Sequence, residues 1–173
     1  MSFFILIKGN LASYEFDYLD PNHRDNKWEK TKPHAQSMND YLKENEDRRS
    51  ASKELYANEF MSSPVHSLEL DTFLPVAKEW MDKNGVHHIP ITRKGEPVGI
   101  ISDRDLIRLE KTGTFSYITV EEIMSTLVIC TLSQTPLSAV AEVFVKEKIN
   151  AMPVVDEDLK IIGIISSRDI LNA

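Results

Sequence analysis

The sequence writes one phrase twice. Gly99–Ile107 reads GIISDRDLI and Gly163–Leu171 reads GIISSRDIL, and their only polar difference sets Asp103 against Ser167. The match extends upstream: FMSSPVHSLELDTFLPVAKEWMDKNGVHHIPITRKGEPVGIISDRDLI aligns with IMSTLVICTLSQTPLSAVAEVFVKEKINAMPVVDEDLKIIGIISSRDIL. Met61 pairs with Met124 and Pro90 with Pro153, each 63 residues apart, while Ser102 pairs with Ser166 and Asp105 with Asp169, each 64 apart. The extra residue falls in the turns RKGEP and DEDLK, where insertion costs least. A unit of this length cannot bury its apolar faces alone, so the two copies must pack on each other with pseudo-two-fold symmetry.

Each copy reads as strand, helix, strand, strand, helix. Thr72 and Thr135 precede helical runs and are placed to cap them, with Pro136 at the first helical position of the second. Leu74, Ala77, Trp80 and Met81 make one apolar stripe, and Leu137, Val140, Val143 and Phe144 make its equivalent. Asn84-Gly85 ends the first helix as a left-handed cap. HHIPIT with VGIIS, and AMPVVD with IIGIIS, read as paired strands across a tight turn. A short helix then starts at SDRDL and at SSRDI.

The chain divides into residues 1–56, a first repeat over 57–119 and a second over 120–173. In the N-terminal arm, FFILIKG predicts one strand and SYEFDYL another, from the alternation of Tyr14, Phe16 and Tyr18 with Glu15 and Asp17. DPNHRDNKWEKTKPHAQ is polar and aperiodic, a connector. The following segment through Met38, Tyr41 and Leu42 to Leu55, Tyr56 and Phe60 permits one or two short helices. No function is assigned to the arm. A net charge of −7 argues against sequence-independent binding to nucleic acid or an anionic membrane. The start MSFFILIKGN is too short for a signal peptide or a membrane span. One cysteine, Cys130 in the apolar stretch LVICTL, excludes an internal disulfide framework, fits the cytoplasm and reads as an inert buried thiol.

The duplicated S-x-R-D turn has two readings. Ser102 and Ser166 can cap helices, with Asp105 and Asp169 as the acidic third residues of capping boxes. Alternatively, the helix start and Ser hydroxyl meet a phosphate, Arg104 and Arg168 neutralise its charge, and each Asp accepts hydrogen bonds from a ribose diol. Duplication after paired strands favours the second. His87-His88 is a poor chelate, because neighbours on a strand point to opposite faces. No P-loop, dinucleotide fingerprint or nucleophile motif is present.

MSSP and IMST at the repeat starts, GVHHIPI and INAMPVV at the middle strands, and GIISDRDL and GIISSRDI at the ends resemble a tandem pair of CBS domains, the Bateman module. The resemblance covers residues 57–173. It implies an α/β fold of two β-α-β-β-α repeats with two clefts that take adenosine-containing ligands: AMP, ADP, ATP or S-adenosylmethionine. Carried onto this sequence, it implies ribose contacts from Asp105 and Asp169, phosphate or ribose contacts from Ser102 and Ser166, and nearby Arg104 and Arg168. It implies adenine walls of Val65, Val86, Ile89 and Pro90 in one cleft and Val128, Ile149, Met152 and Pro153 in the other. His88 is placed to reach phosphate, which its counterpart Ala151 cannot do, whereas Asp103 opposes phosphate beside the first site. The resemblance further implies a regulatory sensor, not an enzyme, and the single cysteine fits a cytoplasmic one. It would be a homodimer acting on an unidentified protein target, without an obligatory cofactor and without nucleic-acid or membrane partners. The alternative is a dimeric protein-interaction module with vestigial, unoccupied clefts.

Overall fold

Backbone hydrogen-bond pairing extends the sheet of the second repeat with a hairpin from the N-terminal arm. The computed structural model describes residues 3–20 and 54–172; the helix-permissive stretch through Met38, Tyr41 and Leu42 lies outside the described residues. Strand β1 (Phe3–Ile7) turns at Lys8 and Gly9, which have φ of 50° and 86°, into β2 (Asn10–Tyr14). Two successive left-handed residues suit the right-handed twist of a hairpin, and glycine takes the second at no steric cost. This corrects the expected second strand. Its register, Ile7 opposite Asn10 and Phe3 opposite Tyr14, ends the strand where SYEFDYL was expected to begin. The chain then closes into a 3-10 turn at Asp17–Leu19. Phe16 and Tyr18 are instead set by ring packing: Phe16 lies edge-on to Phe3 at 5.4 Å and stacks on Tyr18 at 5.1 Å.

A single turn, α1 (Ala57–Phe60), opens the first repeat, which continues with β3 (Leu68–Glu69), α2 (Leu74–Asn84), β4 (His88–Arg93), β5 (Glu96–Ser102) and α3 (Asp103–Glu110). The second comprises β6 (Leu127–Leu132), α4 (Leu137–Glu147), β7 (Ala151–Val155), β8 (Ile161–Ser166) and α5 (Ser167–Leu171). The first sheet runs β3-β4-β5 and the second β2-β1-β6-β7-β8. In both, the first repeat strand is parallel to the second and the second antiparallel to the third. The expected element order therefore holds in each copy.

The stripes land as their 3.6-residue period requires. Leu74, Ala77 and Met81 are buried over the first sheet, with Trp80 half-buried beside them; Leu137, Val140, Val143 and Phe144 are buried over the second. Gly85 closes α2 at φ 64°, as expected, and Lys148 takes the same left-handed position after α4 at φ 56° without a glycine. The two threonine caps require correction. The residues before the helices are Phe73 and Pro136, with no side-chain cap bond at either, so Pro136 stands just outside the helix. Thr135 is buried and its Oγ1 accepts a hydrogen bond from Thr131 Oγ1 at 2.7 Å.

The helix starts are satisfied by the segments that enter the repeats. Leu74 N–H donates to Ile118 O, which belongs to the segment entering the second repeat, and Leu137 N–H donates to Leu55 O, which enters the first. The exchange continues along the chain. Ser62 and Ile164 trade both backbone hydrogen bonds, as do Ser125 and Ile100. The segment that leads into each repeat is thus stitched onto the sheet of the other.

Candidate functional site

Each S-x-R-D turn starts a helix at the end of its sheet. Asp103 N–H donates to His87 O at 3.0 Å and Ser167 N–H donates to Asn150 O at 2.9 Å. These bonds tie each helix start to the residue just before the middle strand. They also occupy the first orphan N–H of each helix, so that donor is not free for a phosphate.

Within each turn the serine and the aspartate hold each other. Ser102 N–H and Oγ both donate to Asp105 Oδ2, at 2.9 and 2.7 Å; Ser166 N–H and Oγ both donate to Asp169 Oδ2, at 2.7 Å each. This is the reciprocal half of a capping box. Both bonds fall on one carboxylate oxygen, so Oδ1 of each aspartate lies outside the cap. The capping function and the ligand function are therefore not exclusive.

A cleft of about 540 Å³ opens between the two turns. Val86, His87 and His88 enter it from the start of β4, Asp103 and Arg104 from the start of α3, and Asn150 and Ala151 from the start of β7. Ser166, Ser167, Arg168 and Asp169 enter from the end of β8 and the start of α5, and Ser62 and Ile164 complete the lining with Gly85. Of the sequence-predicted residues, the structure brings together Val86, His88, Arg104, Ser166, Arg168 and Asp169 in this cleft. It does not bring the others there. Ile89, Pro90, Met152 and Pro153 are buried in their sheets, and Ile149 packs against the core of the second repeat. Val128 is buried in a cluster with Leu6, Cys130 and Val155. Ser102 and Asp105 are half-buried in their own cap, and Val65 is half-buried outside the lining.

The lining residues that sequence reasoning did not place in a cleft include Ser62, Gly85, His87, Asn150 and Ile164. The exchanged linker explains Ser62 and Ile164: they meet only because the entry to the first repeat crosses to β8. Nothing local in MSSP signals that crossing.

The electrostatics of the cleft are uneven. His87 Nδ1 lies 2.7 Å from Asp103 Oδ2. Their counterparts are Asn150 and Ser167, which carry no charge. Burial pushes the His88 imidazole below its ordinary range, against an upward pull from Asp103 and Asp105 and a downward push from His87 and Arg104. His88 is therefore neutral at pH 7 and offers a hydrogen bond, not a charge. The buried Cys130 thiol is pushed up to about 12 by desolvation, which keeps it protonated and unreactive. Among the described residues no helix is long and apolar enough to cross a membrane.

A family model for the CBS domain matches residues 57–111 and 120–173. The protein MJ1225 of Methanocaldococcus jannaschii is 39% identical over 103 residues, covering 53% of this chain and 37% of that protein. The chain thus spans little more than a third of that relative's length. Among solved structures, the CBS domain pair of protein MJ0100 in complex with 5′-methylthioadenosine and S-adenosyl-L-methionine superimposes with a TM-score of 0.63 at 28% identity, over 69% of this chain and 95% of that one. CBSX2 in complex with AMP superimposes with a TM-score of 0.58 at 25% identity, over 68% of this chain and 93% of that one.

Proposed function

This chain belongs to the CBS domain family, as a tandem pair, and on that premise we propose that it is a regulatory module that binds an adenosine-containing ligand in the cleft between its repeats. The observation that carries the reading is the cleft itself: Arg104, Arg168, Ser166 and Asp169 converge beside Val86 and His88. A guanidinium pair suits phosphate, a carboxylate suits a ribose diol, and Val86 supplies an apolar wall for a base. AMP, ADP, ATP and S-adenosylmethionine all fit this chemistry. The related MJ0100 and CBSX2 pairs, whose complexes hold 5′-methylthioadenosine, S-adenosylmethionine or AMP, support the same ligand class.

The module regulates and does not catalyse; its ligand is a signal and not a cofactor. It acts by differential affinity of the ligand for two states of the chain or of its assembly. The assembly is a cytoplasmic homodimer that reports to a protein target. Exposed apolar side chains on the repeat helices support it: Val76 and Ile107 in the first repeat, Val145 and Leu171 in the second. Light scattering after size exclusion tests the dimer, and a monomeric mass at micromolar concentration would remove it.

The test of the ligand reading is a thermal-shift screen against AMP, ADP, ATP, S-adenosylmethionine and 5′-methylthioadenosine. Native-state binding raises Tm by mass action. A rise with an adenosine compound that is lost in Asp169→Asn supports the reading. No shift with any of them at millimolar concentration overturns it. It would leave the interaction module with vestigial clefts, in which the Ser166–Asp169 bond is only a helix cap.

A further inference from the structure

The two repeats use their entry segments differently, and from that difference we infer that the chain holds one adenosine ligand, with the N-terminal hairpin seated where a second would go. The inference rests on the ligand reading above and adds to it the number and place of the sites.

Pseudo-symmetry pairs Ser62 with Ser125, Ser63 with Thr126, Val65 with Val128 and Ile164 with Ile100. The backbone bonds are the same on both sides: Ser62 with Ile164, and Ser125 with Ile100. Their surroundings are not. Ser62 and Ile164 line the cleft. Ile100 packs instead against the cluster of Leu6, Val128, Cys130 and Val155. Leu6 stands opposite Val128 across the β1–β6 ladder, and Lys8 N–H donates to Thr126 O at 3.2 Å. The hairpin turn continues toward the first sheet, where a Cβ on Gly9 would lie 3.4 Å from Val98 Cγ1.

The first repeat has no such occupant among the described residues. Ser63, the mate of Thr126, directs its hydroxyl to Ile162 O at 2.9 Å. Val65 is half-buried where Val128 is buried. The hairpin is firmly docked, since Phe3 and Leu6 are each 1% exposed. It thus converts one of two symmetry-equivalent entry segments into core and leaves the other as the floor of an open cleft. The ligand sits with Ser62, Val86, His88, Arg168 and Asp169.

Two measurements on the full wild-type chain test this. Calorimetric titration with AMP, and in parallel with S-adenosylmethionine, should give one ligand per chain. Photolabelling with 8-azido-AMP and peptide mapping should place the label on Ser62–Val65, Val86–His88 or Ser166–Asp169. Two ligands per chain, or label on Ser125–Val128, would overturn the inference while leaving the ligand reading intact. Absence of binding by both compounds and by every other compound of the thermal-shift screen would remove the ligand reading and this inference with it. A Leu6→Ser variant, shown by circular dichroism to be folded, should loosen the hairpin and take up a second equivalent. A folded variant that still binds one would overturn the role of the hairpin. Should the variant unfold, wild-type stoichiometry and label positions decide alone.

Discussion

A Cβ placed on Gly163 would lie 2.5 Å from Met61 Sδ and 3.1 Å from Ser62 O. The mate position repeats the relationship with a harder neighbour: a Cβ on Gly99 would lie 2.7 Å from Met124 Sδ and 2.8 Å from Ser125 O. The glycines of the repeated phrase are therefore there to let the exchanged entry segments cross the sheets. Both Gly→Ala variants should destabilise the chain by about 1–3 kcal/mol, the usual cost of overpacking. Gly99→Ala should cost more, because a backbone carbonyl yields less readily than a thioether. Urea unfolding of the two variants checks the order, and equal stability to wild type at either site would contradict the crossing.

The paired Met61/Met124 and Gly99/Gly163 were visible in the sequence as repeat landmarks, but their contact was not, because it joins opposite halves of the chain. The same non-local exchange explains most of what sequence reading misplaced. Thr72 and Thr135 look like caps by local rule, yet Leu74 and Leu137 find their partners in Ile118 and Leu55, more than a helix length away in the chain. The apolar stripes and the glycine stop at Gly85 were legible because periodicity and backbone conformation are local. The cleft was legible at Ser166, Arg168, Asp169, Arg104, Val86 and His88. It was not legible at Val128, because the N-terminal hairpin that buries it belongs to a segment with no counterpart in the repeat.

That hairpin is part of the core of the second repeat and not an appendage. Phe3 packs with Phe16, Ile129, Val140, Phe144 and Met152. Phe3→Ala should cost about 3–5 kcal/mol, as large-to-small changes of buried aromatics do. The expected readout is one cooperative transition at lower denaturant. Loss of only a minor early transition, with the repeat unfolding at the wild-type midpoint, would show the hairpin to be an independent unit.

His88 makes stability depend on pH in a defined direction. Burial lowers its folded pKa below the unfolded value of 6.5. The unfolded state then binds the proton first as pH falls, so this contribution is present above about 6.5 and is lost as pH drops through the lower folded pKa. His87, Asp103, Arg104 and Asp105 act on the same ring. Their balance is read by comparing wild type with His88→Gln between pH 7.5 and 5. Wild type should lose more Tm over that interval than the variant. Parallel curves would mean that the upward pull of Asp103 and Asp105 cancels the effect of burial.

Asp103 sets the charge that a ligand meets. It lines the cleft beside Arg104, while its counterpart Ser167 is neutral. Its partner His87 is 47% exposed at the side chain and Asp103 is 35% exposed, so the pair itself contributes little to stability. A unit negative charge about 4 Å from a phosphate costs about 1 kcal/mol even in water, close to fivefold in affinity. Asp103→Ser copies the second repeat into the first. It should strengthen AMP binding by roughly threefold to fivefold, with the gain shrinking as salt rises. Binding of uncharged 5′-methylthioadenosine should stay nearly level. Titrations of both compounds at 50 and 300 mM salt decide the point: an equal change for both would assign Asp103 a packing role through His87, and an unchanged AMP affinity would show that the phosphate lies on the far side of the cleft, toward Arg168.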